Sequence, residues 1–129
     1  MPMNYTVDRA AGVVQLRCWG ILTNEEMLDC VTRMHSDPAR QPGMPSLVDC
    51  RDIQELRATP QGIHAAVVLE QVIADPSEEH WSIAVIAPQD DVFWLGCLYE
   101  VLRAGSPSTV RIFRNARDAG EWLQGQAVG

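Results

Sequence analysis

Residues 48–69, VDCRDIQELRATPQGIHAAVVL, run from a short apolar segment through a polar stretch into a second apolar segment that opens on Thr-Pro. With Ser and Leu just ahead of it, the first segment has the pattern of a strand buried on both faces. Thr59 offers a capping oxygen, and Pro60 suits the first helical position because its missing N–H would have no partner there. The stretch predicts a strand over 46–50 and a helix over about 60–74. A strand feeding a helix in this way is half of a β-α-β unit, so a parallel sheet is the expected frame.

The same alternation extends in both directions. Segments 4–9 and 13–19 alternate polar and β-forming residues around AAG and predict a β-hairpin. TNEEMLDCVTRMH begins with a capping box, Thr23 followed three residues later by Glu26, and sets Met27, Leu28, Val31 and Met34 on one side of a helix. On the far side, WSIAVIAP is a buried strand after the loop DPSEEH, and QDDVFWLGCLYEVLRAG is a helix stopped by Gly105. STVRIF is the last strand, and RNARDAGEWLQG the last helix, capped by Asn115. The predicted order is β-β-α-β-α-β-α-β-α. It implies an α/β fold with a mainly parallel sheet of about five strands, an antiparallel N-terminal edge strand and about four helices. At 129 residues the chain is expected to form one domain over 1–129.

Composition narrows the chemistry. The net charge of -7 repels phosphate backbones and anionic lipid surfaces, which argues against nucleic-acid and charge-driven membrane binding. All ten basic residues are arginine, so mechanisms that need a lysine amine are excluded. Cys18, Cys30, Cys50 and Cys97 are widely spaced inside apolar patterns and read as reduced, mostly buried thiols rather than metal ligands. The opening MPMNYTVDR has no basic, apolar leader, and no apolar run reaches the ~18 residues of a membrane span, so a cytoplasmic protein is expected.

The initial hairpin, GILTNEEM, the strand ending in aspartate (LVDCRDI), the helix capped by a hydroxyl residue ten positions after that aspartate, and the closing VRIFRNARDAGEWL together resemble the SpoIIAA-like family. That family is a divergent branch of the STAS (sulphate transporter and anti-sigma-factor antagonist) group, related in fold to the SEC14 lipid-binding domain. The resemblance spans nearly the whole chain and rests on patterns of fold and length rather than on a catalytic signature. Regulatory STAS proteins carry a phosphorylatable serine in an Asp-Ser-Ser-Gly turn at the start of the second helix. Here the turn reads RATPQG: Asp49 resembles the strand-end aspartate, Ala58 and Thr59 stand in place of the serines, and Arg57 replaces the aspartate before them.

Two candidate sites emerge. At the first, Thr59 is either a helix cap or, with Arg57 and the positive helix end, part of a small anion site or switch that includes Asp49. Asp49 and Asp52 have no nearby nucleophile, histidine or metal pattern, and Asp49 is expected to bond a loop backbone at its strand's end. His35, His64 and His80 lie on separate elements. Arg103, Arg111, Arg114 and Arg117 are expected on a solvated surface and as the ends of salt bridges. The second site is helix three. Leu95, Leu98 and Leu102, flanked by Val92 and Tyr99, form the stripe for the sheet, which leaves Phe93, Trp94, Cys97 and Val101 for neighbouring helices, a self-association surface or an apolar pocket.

The expectation is a cytoplasmic STAS-like interaction or regulatory module, without catalysis or cofactor, that forms a homodimer. The alternative is a carrier or sensor of a small apolar or amphipathic ligand. An enclosed apolar cavity bordered by Trp94 would favour the carrier, and a flat apolar patch the interaction module.

Overall fold

The computed structural model describes residues 2–73, 80–106 and 108–128. Among them the elements are β1 (Met3–Asp8), β2 (Val13–Leu22), α1 (Asn24–His35), β3 (Ser46–Leu56), α2 (Pro60–Ile73), β4 (Trp81–Ile86), α3 (Asp90–Leu102), β5 (Ser108–Phe113) and α4 (Ala116–Val128). The strands lie side by side in sequence order. β1 runs antiparallel to β2, and β2 through β5 are mutually parallel, as the alternation of elements implied. Ala74, expected at the end of the second helix, and the expected loop over 75–79 lie outside the described residues.

Period two along β4 explains the layers. Ile83 and Val85 join a core with Met27, Cys30 and Met34 of α1, Ile63 and Ala66 of α2, and Val92 of α3. The intervening Ala84 and Ile86 pack instead with Ala119 and Leu123 of α4. Side chains alternate across a strand, so α1, α2 and α3 cover one face of the sheet and α4 the other. All six residues of β4 are consequently buried. The stripe expected on α3 packs as read: Leu95, Leu98, Tyr99 and Leu102 lie against the larger core.

Two strands outrun their predicted ends. β2 continues past Trp19 to Leu22 because Gly20, at φ 63°, takes a left-handed conformation and the ladder with β3 shifts register on either side of it. β3 continues past Cys50 to Leu56. Its pairing with β4 stops at Asp49 while its pairing with β2 runs on to Leu56, so the polar half of β3 is a sheet margin facing solvent. The carbonyls on that margin do not go unmet. Gln89 Nε2 donates to the oxygens of Cys50, Arg51 and Ile53 at 3.2, 3.2 and 3.1 Å, standing in for the strand that has ended. Gln89 is the N-cap residue of α3, and with its side chain used in this way it makes no capping bond.

Candidate functional site

The start of α2 is closed by two side chains. Thr59 Oγ1 accepts from the amide of Gly62 at 3.2 Å and from Asn24 Nδ2 at 3.0 Å, and the Thr59 amide donates to Asn24 Oδ1 at 2.9 Å. Thr59 is thus an N-cap, and the carboxamide of Asn24, the first residue of α1, lies over the helix end. A Cβ on Gly62 would fall 1.8 Å from Asn24 Oδ1, which shows how closely that side chain is seated. Arg57 is turned away and pairs with Glu55 at 3.1 Å.

Asp49 is not at a strand end. It sits within β3, and alternation with Val48 and Cys50 puts it on the α4 side of the sheet, away from the larger core. Its carboxylate accepts from the Arg51 amide at 3.0 Å and from the Arg51 guanidinium at 2.9 and 2.8 Å, which holds its pKa below the usual carboxylate value. Together they border a depression of about 440 Å³ with Asn4, Gln15 and Trp19. Arg17 lies 5.0 Å from the Trp19 ring and pairs with Asp52 at 3.0 Å. Asp49, Arg57 and Thr59 therefore point to three different partners, and the structure does not gather them.

Of the four residues read as the second face of α3, Trp94 and Val101 are exposed, Cys97 is half-buried and Phe93 packs against the larger core. Trp94 is 68% and Val101 69% exposed, and they lie seven residues apart on one side. Phe93 is half-buried under the Arg114 guanidinium, 3.8 Å from its ring centroid, and meets Trp94 edge to face at 5.8 Å. Cys97 is half-buried beside them, and all four cysteines are free thiols. The adjacent α2 adds Val68 and Val72, 45% and 75% exposed. These two valines escaped the sequence reading, although VVLEQVI is as apolar all round as α3 and carried the same signal.

Between the sheet and α1–α3 lies an apolar pocket of about 130 Å³, bordered on α3 by Val92, Leu95, Gly96 and Tyr99 and not by Trp94. One end of it is polar. Glu70 and Arg103, 5% and 4% exposed, form an ion pair, and the Tyr99 hydroxyl donates to Glu70 at 2.9 Å. Burial pushes the Glu70 carboxyl upward against the pull of Arg103. Arg103 also donates to Ser108 Oγ and lies 5.5 Å from the Trp81 ring. The expectation of a solvated Arg103 is thus overturned: the end of α3 turns its guanidinium inward onto a carboxylate that α2 buries. Ile63, Ala66, Val67 and Glu70 form one buried stripe of α2, and the helical spacing of Glu70 within it was the missed signal. His35 lines the same cavity, with its pKa lowered to about 4 by burial and by Arg40 and Arg103. His64 is exposed, and exposed His80 bonds Thr109 Oγ1 at 2.9 Å, so the three histidines stay apart.

No family model matches the chain, and no curated protein matches it. Among solved structures, an uncharacterised protein of the DUF3478 family from Shewanella loihica PV-4, which has a SpoIIAA-like fold, superposes with a TM-score of 0.57. The match covers 94% of this chain and 93% of that one at 18% identity. The chain has a SpoIIAA-like fold. At this identity the likeness speaks for architecture, and function must be argued from the side chains. In the SpoIIAA-like frame the second-helix turn is the place that the resemblance marks as a switch. Here its hydroxyl is occupied by Asn24 and by the Gly62 amide.

Proposed function

We propose that this SpoIIAA-like domain is a non-catalytic, cytoplasmic interaction module that self-associates through the outer face of α3 and its neighbour α2. The observation that carries the reading is the exposure of Trp94 and Val101 on one side of a helix whose opposite side already serves the core. Exposed Trp94 and Val101 on α3, with exposed Val68 and Val72 on the neighbouring α2, are large apolar side chains left to water, as at contact surfaces. Its location on regular helices, held by the Phe93–Arg114 stack, gives it a fixed shape. The net charge of -7 supports a protein partner over nucleic acid. Among the described residues no helix is long and apolar enough to cross a membrane. Sedimentation velocity across a concentration series tests the reading: a monomer–dimer shift supports it, and a monomer at every concentration removes self-association.

A second reading, that the domain carries or senses a small apolar ligand, is favoured by the apolar pocket between the sheet and α1–α3. The cavity lies behind Trp81 rather than Trp94, so the two readings use different parts of the molecule and do not compete.

A further inference from the structure

The cavity behind Trp81 has three properties that together define a ligand. The first is its size. About 130 Å³ is close to the volume of engineered apolar cavities, about 150 Å³, that take up benzene. The second is its wall. Met3, Met27 and Met34 line it together with Trp81 and Tyr99, and thioether sulfur makes favourable, adaptable contacts with aromatic rings. The third is one unmatched polar atom. Ser46 is 3% exposed, shares the cavity face of β3 with Val48 and Cys50, and its Oγ is buried without a hydrogen-bond partner among the described residues. Buried hydroxyls are as a rule satisfied, so a lone one in an apolar wall marks where a polar group of a guest belongs.

Charge selects further. The ionised groups at the polar end are already matched, since the Glu70 carboxylate takes Arg103 and the Tyr99 hydroxyl, and Arg103 also takes Ser108. A guest carboxylate or ammonium would find Glu70 and Arg103 already engaged with each other, and burial penalises a charge that must compete for them. We propose that the cavity binds a small neutral aromatic molecule bearing one hydroxyl or N–H group, of the phenol or indole type. Its ring lies among the three methionines and its polar group meets Ser46 Oγ. The inference rests on the ligand-carrier reading and gives that reading a chemical class.

The test uses the full chain with methyl-labelled methionine, titrated in turn with phenol, indole, toluene and benzoate and followed by NMR. Phenol and indole are expected to shift the Met27 and Met34 methyl signals and to leave Met44 in place, because Met44 is buried outside the cavity lining. Ser46→Ala is expected to weaken phenol about tenfold, the weight of one hydrogen bond, and to leave toluene within about twofold. Ala66→Leu, which fills the cavity from α2, is expected to abolish the shifts. If none of the four compounds moves these methyls, the carrier reading falls and the ligand class with it. If phenol and toluene bind alike and Ser46→Ala changes neither, or if benzoate binds as tightly as phenol, the cavity takes ligands but the class proposed here is wrong.

Discussion

Asn24 and Thr59 hydrogen-bond each other in both directions, side chain to side chain at 3.0 Å and backbone amide to carboxamide at 2.9 Å, and so tie the start of α1 to the start of α2. Gly62 sits under that pair with no room for a Cβ. Asn24→Ala is expected to destabilise the fold by about 1 to 2 kcal/mol, since it strips partners from a part-buried amide and hydroxyl. Gly62→Ala, although alanine is the better helix former, is expected to be destabilising too, because it must displace Asn24. In the Asn24→Ala background the same substitution should cost less by more than about 1 kcal/mol. Urea denaturation of the four proteins measures the cycle, and additive effects would show that the two residues do not share the site.

The same seating governs anions and phosphorylation. With the Asn24 carboxamide on the helix end and Arg57 committed to Glu55, added phosphate or sulphate is expected to leave the amides of Gln61, Gly62 and Ile63 unmoved. A phosphoryl group on Thr59 would have to expel Asn24, so protein isolated from its native cell is expected to carry none there. Saturable amide shifts at 61–63, or stoichiometric phosphate on Thr59, would restore the switch that the family resemblance implies.

Gln89 supplies a different kind of closure. Its one carboxamide serves three carbonyls of β3 beyond the point where β4 stops, so Gln89→Ala leaves a sheet margin unmet. A loss of about 1 to 3 kcal/mol is expected, together with faster hydrogen exchange over 50–56. Unchanged exchange there would mean that solvent already serves those carbonyls.

The extent of β3 shows what the sequence could and could not convey. WSIAVI announces a buried strand because every residue of it is covered on both faces, and the sequence is apolar for the same reason. The second half of β3 pairs only with β2, so nothing selects apolar residues for RDIQEL, and a reader of hydropathy stops at Cys50. The α3 stripe, the Thr23 cap and the Asn115 cap, whose Oδ1 accepts from the Asp118 amide at 2.8 Å, were legible because they are local. Partnerships across the fold were not. Asn24 with Thr59 and Glu70 with Arg103 are separated by more than thirty residues, and a cavity is a mismatch of packed volumes that no single residue records.

His35 makes acid sensitivity a property of the core. Its pKa is about 4 in the folded protein against 6.5 ordinarily, with burial the largest cause and Arg40 and Arg103 adding to it. Above pH 6.5 both states hold a neutral imidazole and pH has no leverage through it. Between 6.5 and 4 the unfolded chain takes a proton that the folded one resists, so stability falls as pH falls, by less than about 1.4 kcal/mol per pH unit. Partial exposure of the ring reduces the slope further. Asp37 and Asp49 have carboxyls shifted below 3.8 and therefore act in a lower window. Urea midpoints at pH 7 and pH 5 should differ in the wild type and converge in His35→Gln. An equal pH dependence in both would remove His35 as the cause.

The outer face of α3 is open to the most direct test. The helix has 13 residues and is about 20 Å long, with Trp94 and Val101 about two turns apart, so a two-fold axis across it would set each residue against the other helix. Burying one large apolar side chain contributes about 1.5 to 3 kcal/mol, and two tryptophans and two valines would bring a surplus over the cost of ordering two chains only if packed well. The Trp94 ring starts with an advantage, because its edge-to-face contact with Phe93 and the Arg114 stack beneath limit its freedom before contact. Trp94→Glu would remove the ring and place a carboxylate in that contact, a desolvation cost that works against association. At 68% exposure the residue contributes little to the fold itself, so circular dichroism should be unchanged while sedimentation moves from dimer to monomer. A dimer that survives the substitution would place the interface elsewhere. A wild type that is monomeric throughout would leave the patch without a second copy, and a mutant that loses its dichroism would make Trp94 part of the core despite its exposure.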